Sequence, residues 1–234
     1  MAKAKRIIVM LLSVLIMVTV FSACGKEELP EGITALNKAK VGDKVNLGSY
    51  EQDNNTENGK EKITWLVLAV DGKKALLISE KVLDTKKYNN EKVDITWENS
   101  TVRTWLNKDF TAAAFTKKDL KKVIETTVAN PENAKHKTPG GNETKDKIFL
   151  LGLEEVEKYF ETTESRSAMG TEFAEQNGLK LGKYINNKGT GMWLLRTPGH
   201  KANGVCYVNN DGRDYTTYVD YESCGIRPAM WVKK

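Results

Sequence analysis

Ile63–Ser79 (ITWLVLAVDGKKALLIS) holds two apolar runs, Ile63–Val70 and Ala75–Ser79, on either side of Asp71-Gly72. This is the strongest short hairpin signal in the chain, and the near-continuous apolarity of both arms predicts two central strands. N-terminal to it, Lys44–Tyr50 places Val45, Leu47 and Ser49 on one parity, and the Gly- and Asn-rich stretch 51–61 reads as a loop. C-terminal to it come short helices. Ser100 can cap a helix over 101–109 that aligns Val102, Trp105 and Leu106, and Thr116-x-x-Asp119 has the form of a capping box. Ile148–Leu151 reads as a buried strand, Leu153, Val156, Tyr159 and Phe160 as a helix face, and Asn177-Gly178 as a helix stop after Phe173–Ala174. Strands return at Met192–Leu195, Gly204–Val208, Asp214–Val219 and Cys224–Val232, with Asp211-Gly212 as a second hairpin turn. The expectation is one α+β domain over 41–234: a mainly antiparallel twisted sheet with short helices and long loops.

The rest of the chain explains its charge. Residues 1–6 carry Lys3, Lys5 and Arg6, and residues 7–21 are apolar except for Ser13 and Thr19. That run is short for a membrane span and ends in Phe21-Ser22-Ala23-Cys24-Gly25, so residues 1–23 read as an export signal. Ala23-Cys24 resembles the cleavage site of a bacterial lipoprotein signal, which implies acylation of Cys24 and anchorage to the outer face of the cytoplasmic membrane. Several acyl chains at about 0.8 kcal/mol per buried CH₂ suffice to hold a domain there. Residues 24–40, with Pro30 and Gly32, then read as a tether. The 234-residue chain has a net charge of +5, and losing the three signal cations leaves +2. Its basicity therefore points to export rather than to nucleic acid, and Lys117, Lys118, Lys121 and Lys122 form only a local helix face. With 40% hydrophobic residues, a real core is expected; three cysteines rule out a disulfide-dense scaffold, and two histidines a His-rich metal site.

Four motifs in order, Asp94–Asn107 (DITWENSTVRTWLN), Asp146–Leu151 (DKIFLL), Trp193–Gly199 (WLLRTPG) and Gly225–Trp231 (GIRPAMW), resemble the bacterial domain of unknown function 6273, whose members are typically exported. The resemblance spans about Val41 to Val232 and implies no reaction. Trp193–Arg196 followed by Gly225–Ala229 also resembles the C-terminal part of formylglycine-generating, sulfatase-modifying-factor domains. That likeness implies a C-type-lectin-like fold.

The sequence carries no G-x-S-x-G, H-E-x-x-H, Walker or G-x-G-x-x-G signature. Arg103, Arg196 and Arg227 sit beside tryptophans or in near-apolar strands, so each is expected to be structural, paired with loop carbonyls or with a carboxylate such as Asp84, Asp94 or Asp146. Trp65, Trp97, Trp105, Trp193 and Trp231 are read as core. His136 and His200 read as solvated loop residues, and Glu154, Glu155 and Glu157 as an exposed helix face. Cys206 and Cys224 could form a disulfide or stay as two buried thiols, since sequence does not show their separation. They lie eighteen residues apart, whereas the copper-binding cysteines of the formylglycine-generating family are close neighbours, so that catalytic role does not carry over. No cofactor or metal is expected; Asn209–Asp214 resembles a calcium loop in composition, but turn chemistry accounts for it.

Tyr207, Tyr215, Tyr218 and Tyr221 interleave with Asn209, Asn210, Asp211, Arg213 and Asp214 around the second hairpin turn. Stiff amphipathic rings beside adaptable polar groups suit recognition, which makes this the candidate ligand surface. The expectation is a lipid-anchored surface binding or scaffold domain for a glycan or protein ligand, without catalysis. A formylglycine-generating-type oxidase is the alternative.

Overall fold

The computed structural model describes residues 29–234, so Cys24 and the signal segment lie outside the described residues. Strands β1 (Lys44–Tyr50), β2 (Glu61–Asp71), β3 (Lys74–Ser79) and β4 (Asp84–Thr85) come first. Next are β5 (Val123–Ile124), β6 (Thr126–Val128), β7 (Thr144–Asp146), β8 (Ala168–Met169) and β9 (Thr190–Gly191). The chain ends in β10 (Trp193–Pro198), β11 (Gly204–Val208), β12 (Asp214–Tyr218), β13 (Gly225–Ile226) and β14 (Ala229–Lys233). The helices are α1 (Thr101–Trp105), α2 (Thr111–Ala114), α3 (Lys117–Leu120), α4 (Leu153–Tyr159), α5 (Thr163–Arg166) and α6 (Glu172–Gln176). One five-stranded sheet runs β1-β2-β3-β14-β5 and another β12-β11-β10-β13-β4; β6-β7 and β8-β9 are short ribbons. All pairs in these sheets are antiparallel except β10 with β13. The fold is thus α+β with curled, mainly antiparallel sheets and short helices.

The terminal strand differs from its expected form. Cys224–Val232 is not one strand: it breaks at Arg227-Pro228, giving β13 to one sheet and β14 to the other. Proline has no N–H for a ladder, so pairing stops there. The partner strand breaks at the same level, because β3 pairs with β14 and β4 with β13. Ser79 N–H bonds to Pro228 O (2.9 Å) and Leu83 N–H to Ile226 O (2.9 Å), so a single bent ribbon passes through both sheets. Arg227 fills the bend, 3% exposed, with Nε donating to Ser79 O (2.9 Å) and its guanidinium between the rings of Phe160 and Trp193 (5.4 and 5.1 Å). With no carboxylate partner among the described residues, it relies on carbonyls and ring faces, and burial lowers its pKa to about 9.

Asp71-Gly72 does make the β2–β3 turn, but the two loop residues are Gly72 and Lys73, since Asp71 pairs with Lys74. Gly72 has φ +55, which places glycine first in a type II′ turn. In β1 the expected parity fails after Leu47. A bulge between Asn46 and Ser49, with Gly48 at φ +72, moves Ser49 off the inner face and buries Tyr50. Tyr50 then donates to the buried carboxylate of Asp84 (2.7 Å). Part of the expected tether is packed: Ile33 bridges to Lys44, Leu36–Lys38 forms a 3₁₀ turn, and Ala39 is fully buried. Ile148–Leu151 is buried as expected but forms no strand; only Phe149 bridges, to Ala229.

Ser100 accepts from the Arg103 N–H as an N-cap, and Thr116 with Asp119 completes a capping box. The first helix outruns its expected end, passing from α1 through a π turn, Leu106–Phe110, into α2. At that turn the Asn107 side chain bonds Ile148 O and the Lys147 and Ile148 N–H groups. Beside it Asp146, 1% exposed, accepts from Arg103 Nε (2.7 Å), Trp97 Nε1 (2.9 Å) and Thr144 Oγ1 (2.7 Å). Arg103 is therefore a cross-link from the first helix to β7, as its placement beside tryptophan suggested, while Asp94 is exposed and takes no part. Trp65, Trp97 and Trp193 are fully buried; Trp105 and Trp231 pack at the core's margin.

Candidate functional site

Where β10 ends, three loops meet. Arg196 points out of β10 beneath the start of α4. Its Nη1 donates to Leu150 O (2.8 Å) and pairs with Glu155, Nη2 donates to Ala129 O (3.0 Å), and its guanidinium lies 6.0 Å from the Phe149 ring centroid. The guanidinium packs against Gly152, where a Cβ would stand 3.4 Å from it, at ordinary contact distance. Glu155 also accepts the Gly152 N–H (2.8 Å), and Thr197 Oγ1 accepts the Leu153 N–H (2.8 Å), so strand end and helix start are locked together. Opposite them the segment 130–138 is held by Asn133, 2% exposed. Its Nδ2 donates to Pro198 O (2.7 Å), and its Oδ1 accepts the Lys135 and His136 N–H groups (both 3.0 Å).

Between these walls is a cavity of about 330 Å³ lined by Ala129–Lys135, Gly152–Glu155, Glu157, Arg196–Pro198 and Asp214. Five carboxylates (Glu132, Glu154, Glu155, Glu157 and Asp214) face two cations, Arg196 and Lys135, and Arg196 is already engaged by Glu155 and two carbonyls. Asn130, also in the wall, gives its amide to Asn142 O (2.7 Å), while its Oδ1 has no partner among the described residues. Acceptors therefore outnumber donors in this wall. From sequence, Glu154, Glu155 and Glu157 read only as an exposed helix face, and Asn133 draws no role at all. The available signal is an Asn in a stretch bounded by Pro131 and Pro139-Gly140, a setting in which Asn side chains take up turn N–H groups.

The candidate surface around the second hairpin divides in two. Tyr207 faces Tyr215 across β11 and β12, their rings 6.1 Å apart, and Tyr221 is near enough to help burial raise the Tyr207 pKa. Tyr218 has the opposite parity to Tyr215 and lies under Lys92 (3.2 Å to the ring centroid), on the side of Thr216 and Asp214. Asp214 alone of the candidate set lines the cavity; Asn209 and Asp211 border a shallow depression against Leu181–Asn187. Asn210 is used structurally, through its amide to Lys180 O (3.1 Å) and its carbonyl to Thr190 Oγ1 (2.8 Å). Arg213 is exposed, its N–H bonded to Asp211 Oδ1 (3.1 Å).

Cys206 and Cys224 are separate buried thiols. Cys206 lies on β11 and Cys224 next to β13 with β10 between them, a separation of about 10 Å at ordinary strand spacing and too wide for a bridge. They also face opposite sides: the Cys206 thiol donates to Pro198 O (3.3 Å), whereas Cys224 is felt by the next residue along β11, Tyr207. Burial pushes both thiols up to about 12. A shared copper ion or a disulfide therefore does not fit these two residues.

Glu51, Asp53 and Glu61 gather their carboxylates within 4.8 Å of one another beside the 51–61 loop, and Glu61 accepts the Gln52 and Asp53 N–H groups (2.7 and 3.4 Å). A family model described as "Domain of unknown function (DUF6273)" matches residues 72–234. No curated protein and no solved structure gives a match.

Proposed function

Since the chain belongs to the DUF6273 family, a domain of unknown function, we propose its function from the site itself: an exported, lipid-anchored binding domain that holds a polar surface ligand in the cavity at the end of β10. The observation that carries this is the acceptor-rich wall, with its one buried cation already paired. Such a wall favours ligands that bring donors, the hydroxyl or amino groups of a glycan above all. Thiols held protonated and on opposite faces supply no reactive pair, which favours binding over the oxidase alternative. The C-type-lectin-like reading of the fold is supported by the Arg-Pro bend in a terminal strand that runs through both sheets, and by the long loops around it. Ala23-Cys24 supports lipidation, and Ile33, nine residues after Cys24, is already bridged to Lys44.

Two measurements test the proposal. A fatty-acid analogue should label the chain and fail to label the Cys24→Ala variant; label persisting on that variant ends the lipoprotein reading. In a screen of neutral and amino-sugar glycans, any ligand found should lose at least about tenfold in affinity with Asp214→Asn or Glu157→Gln. Tyr215→Ala should leave that affinity unchanged. The reverse pattern would move the site to the tyrosine face.

A further inference from the structure

The chain has two histidines, sixty-four residues apart in sequence, and the fold puts them side by side. The rings of His136 and His200 stand edge to face with centroids 6.1 Å apart, both residues exposed. Each is held from behind. The His136 N–H bonds to Asn133 Oδ1, and Asn133 is anchored on Pro198 O two residues before His200. Nδ1 of His200 lies 2.9 Å from Thr216 Oγ1, which leaves Nε2 as that ring's free nitrogen.

We propose that His136 and His200 form a binding site for a late first-row divalent metal ion such as Zn²⁺ or Cu²⁺. Imidazole suits these ions, and a metal about 2.0 Å from one nitrogen of each ring places the two centroids roughly 5–6 Å apart, close to the separation found. Thr216 fills the role usual behind a ligating histidine, fixing one ring nitrogen so that the other is aimed outward. Among the described residues only Glu51, Asp53 and Glu61 bring three carboxylate, thiol or imidazole donors within 4.8 Å of one another, so this pair has no third protein ligand of those types in place. Its remaining positions are open to water or to an external donor. Lys135, Lys137 and Lys201 adjoin the two histidines in sequence, and Asp214 stands two residues from Thr216 on the same face of β12. The site therefore carries mixed charge, and imidazole, not a carboxylate cluster, supplies the affinity.

The test uses the full-length chain in detergent with Zn²⁺ followed by calorimetry and Cu²⁺ followed by electron paramagnetic resonance. One ion per chain is expected, with two-nitrogen coupling in the copper spectrum. Affinity should fall at least about tenfold in His136→Ala and in His200→Ala, and by a similar factor in Thr216→Val. Glu51→Gln/Glu61→Gln should bind normally. No binding, or binding that survives both histidine substitutions, would overturn the proposal; loss on Glu51→Gln/Glu61→Gln alone would do the same by moving the ion to the acidic cluster. Both histidines are exposed, so their variants should melt like the parent, and circular dichroism checks this.

Discussion

At the residue scale, burial sets the chemistry of the two core thiols. Each would titrate near 9 when unfolded and is raised to about 12 by the fold, through loss of water around the thiolate. Between those values the unfolded chain holds fewer protons than the folded one, so stability falls as pH rises from about 9 to about 12 and is unaffected by these groups below that window. Urea midpoints measured across this range should decline, and Cys206→Ala/Cys224→Ala should make the decline shallower, the buried Tyr50 and Tyr88 hydroxyls accounting for part of what remains. In the Cys24→Ala chain, a thiol reagent at neutral pH should find no reactive cysteine until denaturant is added, and then two. A fast native reaction would contradict the burial described. The structural role of Arg103, Arg196 and Arg227 was legible because a lone charge among tryptophans must be paired. Their partners were less so. Only Arg103 takes one of the named carboxylates, Asp146; Arg196 pairs with Glu155, and Arg227 with carbonyls and rings.

At the element scale, local chemistry was read well wherever neighbours in sequence decide it. The Ser100 cap, the Thr116–Asp119 box, both hairpins and the Asn177-Gly178 stop all depend on residues within a few positions. The β1 bulge was not read, because Gly48 sits where it does for a distant reason. A Cβ there would meet Ala114 O at 2.6 Å and the Phe115 ring at 2.8 Å, whereas Gly72 has open space around it. Both have positive φ. Gly72→Ala should cost about 1–2 kcal/mol from backbone conformation alone, and Gly48→Ala upwards of about 3 kcal/mol, with urea unfolding as the measurement. Equal costs would mean that the close approach of α2 to β1 does not constrain the fold. The break of Cys224–Val232 at Arg227-Pro228 belongs here too, since proline announces a stop in pairing but not which sheet the chain joins next.

At the scale of the molecule, the physical unit is larger than the region the family shares. The match begins at Gly72, inside the β2–β3 turn, yet β1 and β2 cover β3 and bury Val45, Leu47, Tyr50, Ile63, Trp65, Val67 and Leu68. At about 1.5–3 kcal/mol per fully buried large apolar side chain, their loss is comparable with the whole stability of a domain, about 5–15 kcal/mol. A chain begun at Gly72 should therefore aggregate or lack a cooperative melt, while one begun at Pro30 should unfold in a single transition; a cooperative melt from the shorter chain would show that β1–β2 is dispensable. The α+β class, the capped helices, the hairpins, the apolar core and the family are all legible in the residue order, because each rests on residues a few positions apart or on motifs in a fixed order. The packed fold was needed to split the tyrosines between two faces, to set Cys206 and Cys224 on opposite sides of β10, and to gather Arg196, Glu155, Asn133 and Asp214 around one cavity. The physical reason is that strand pairing and side-chain parity across β10, β11, β12 and β13 bring distant segments together, and a one-residue change in either turns a side chain to the other face.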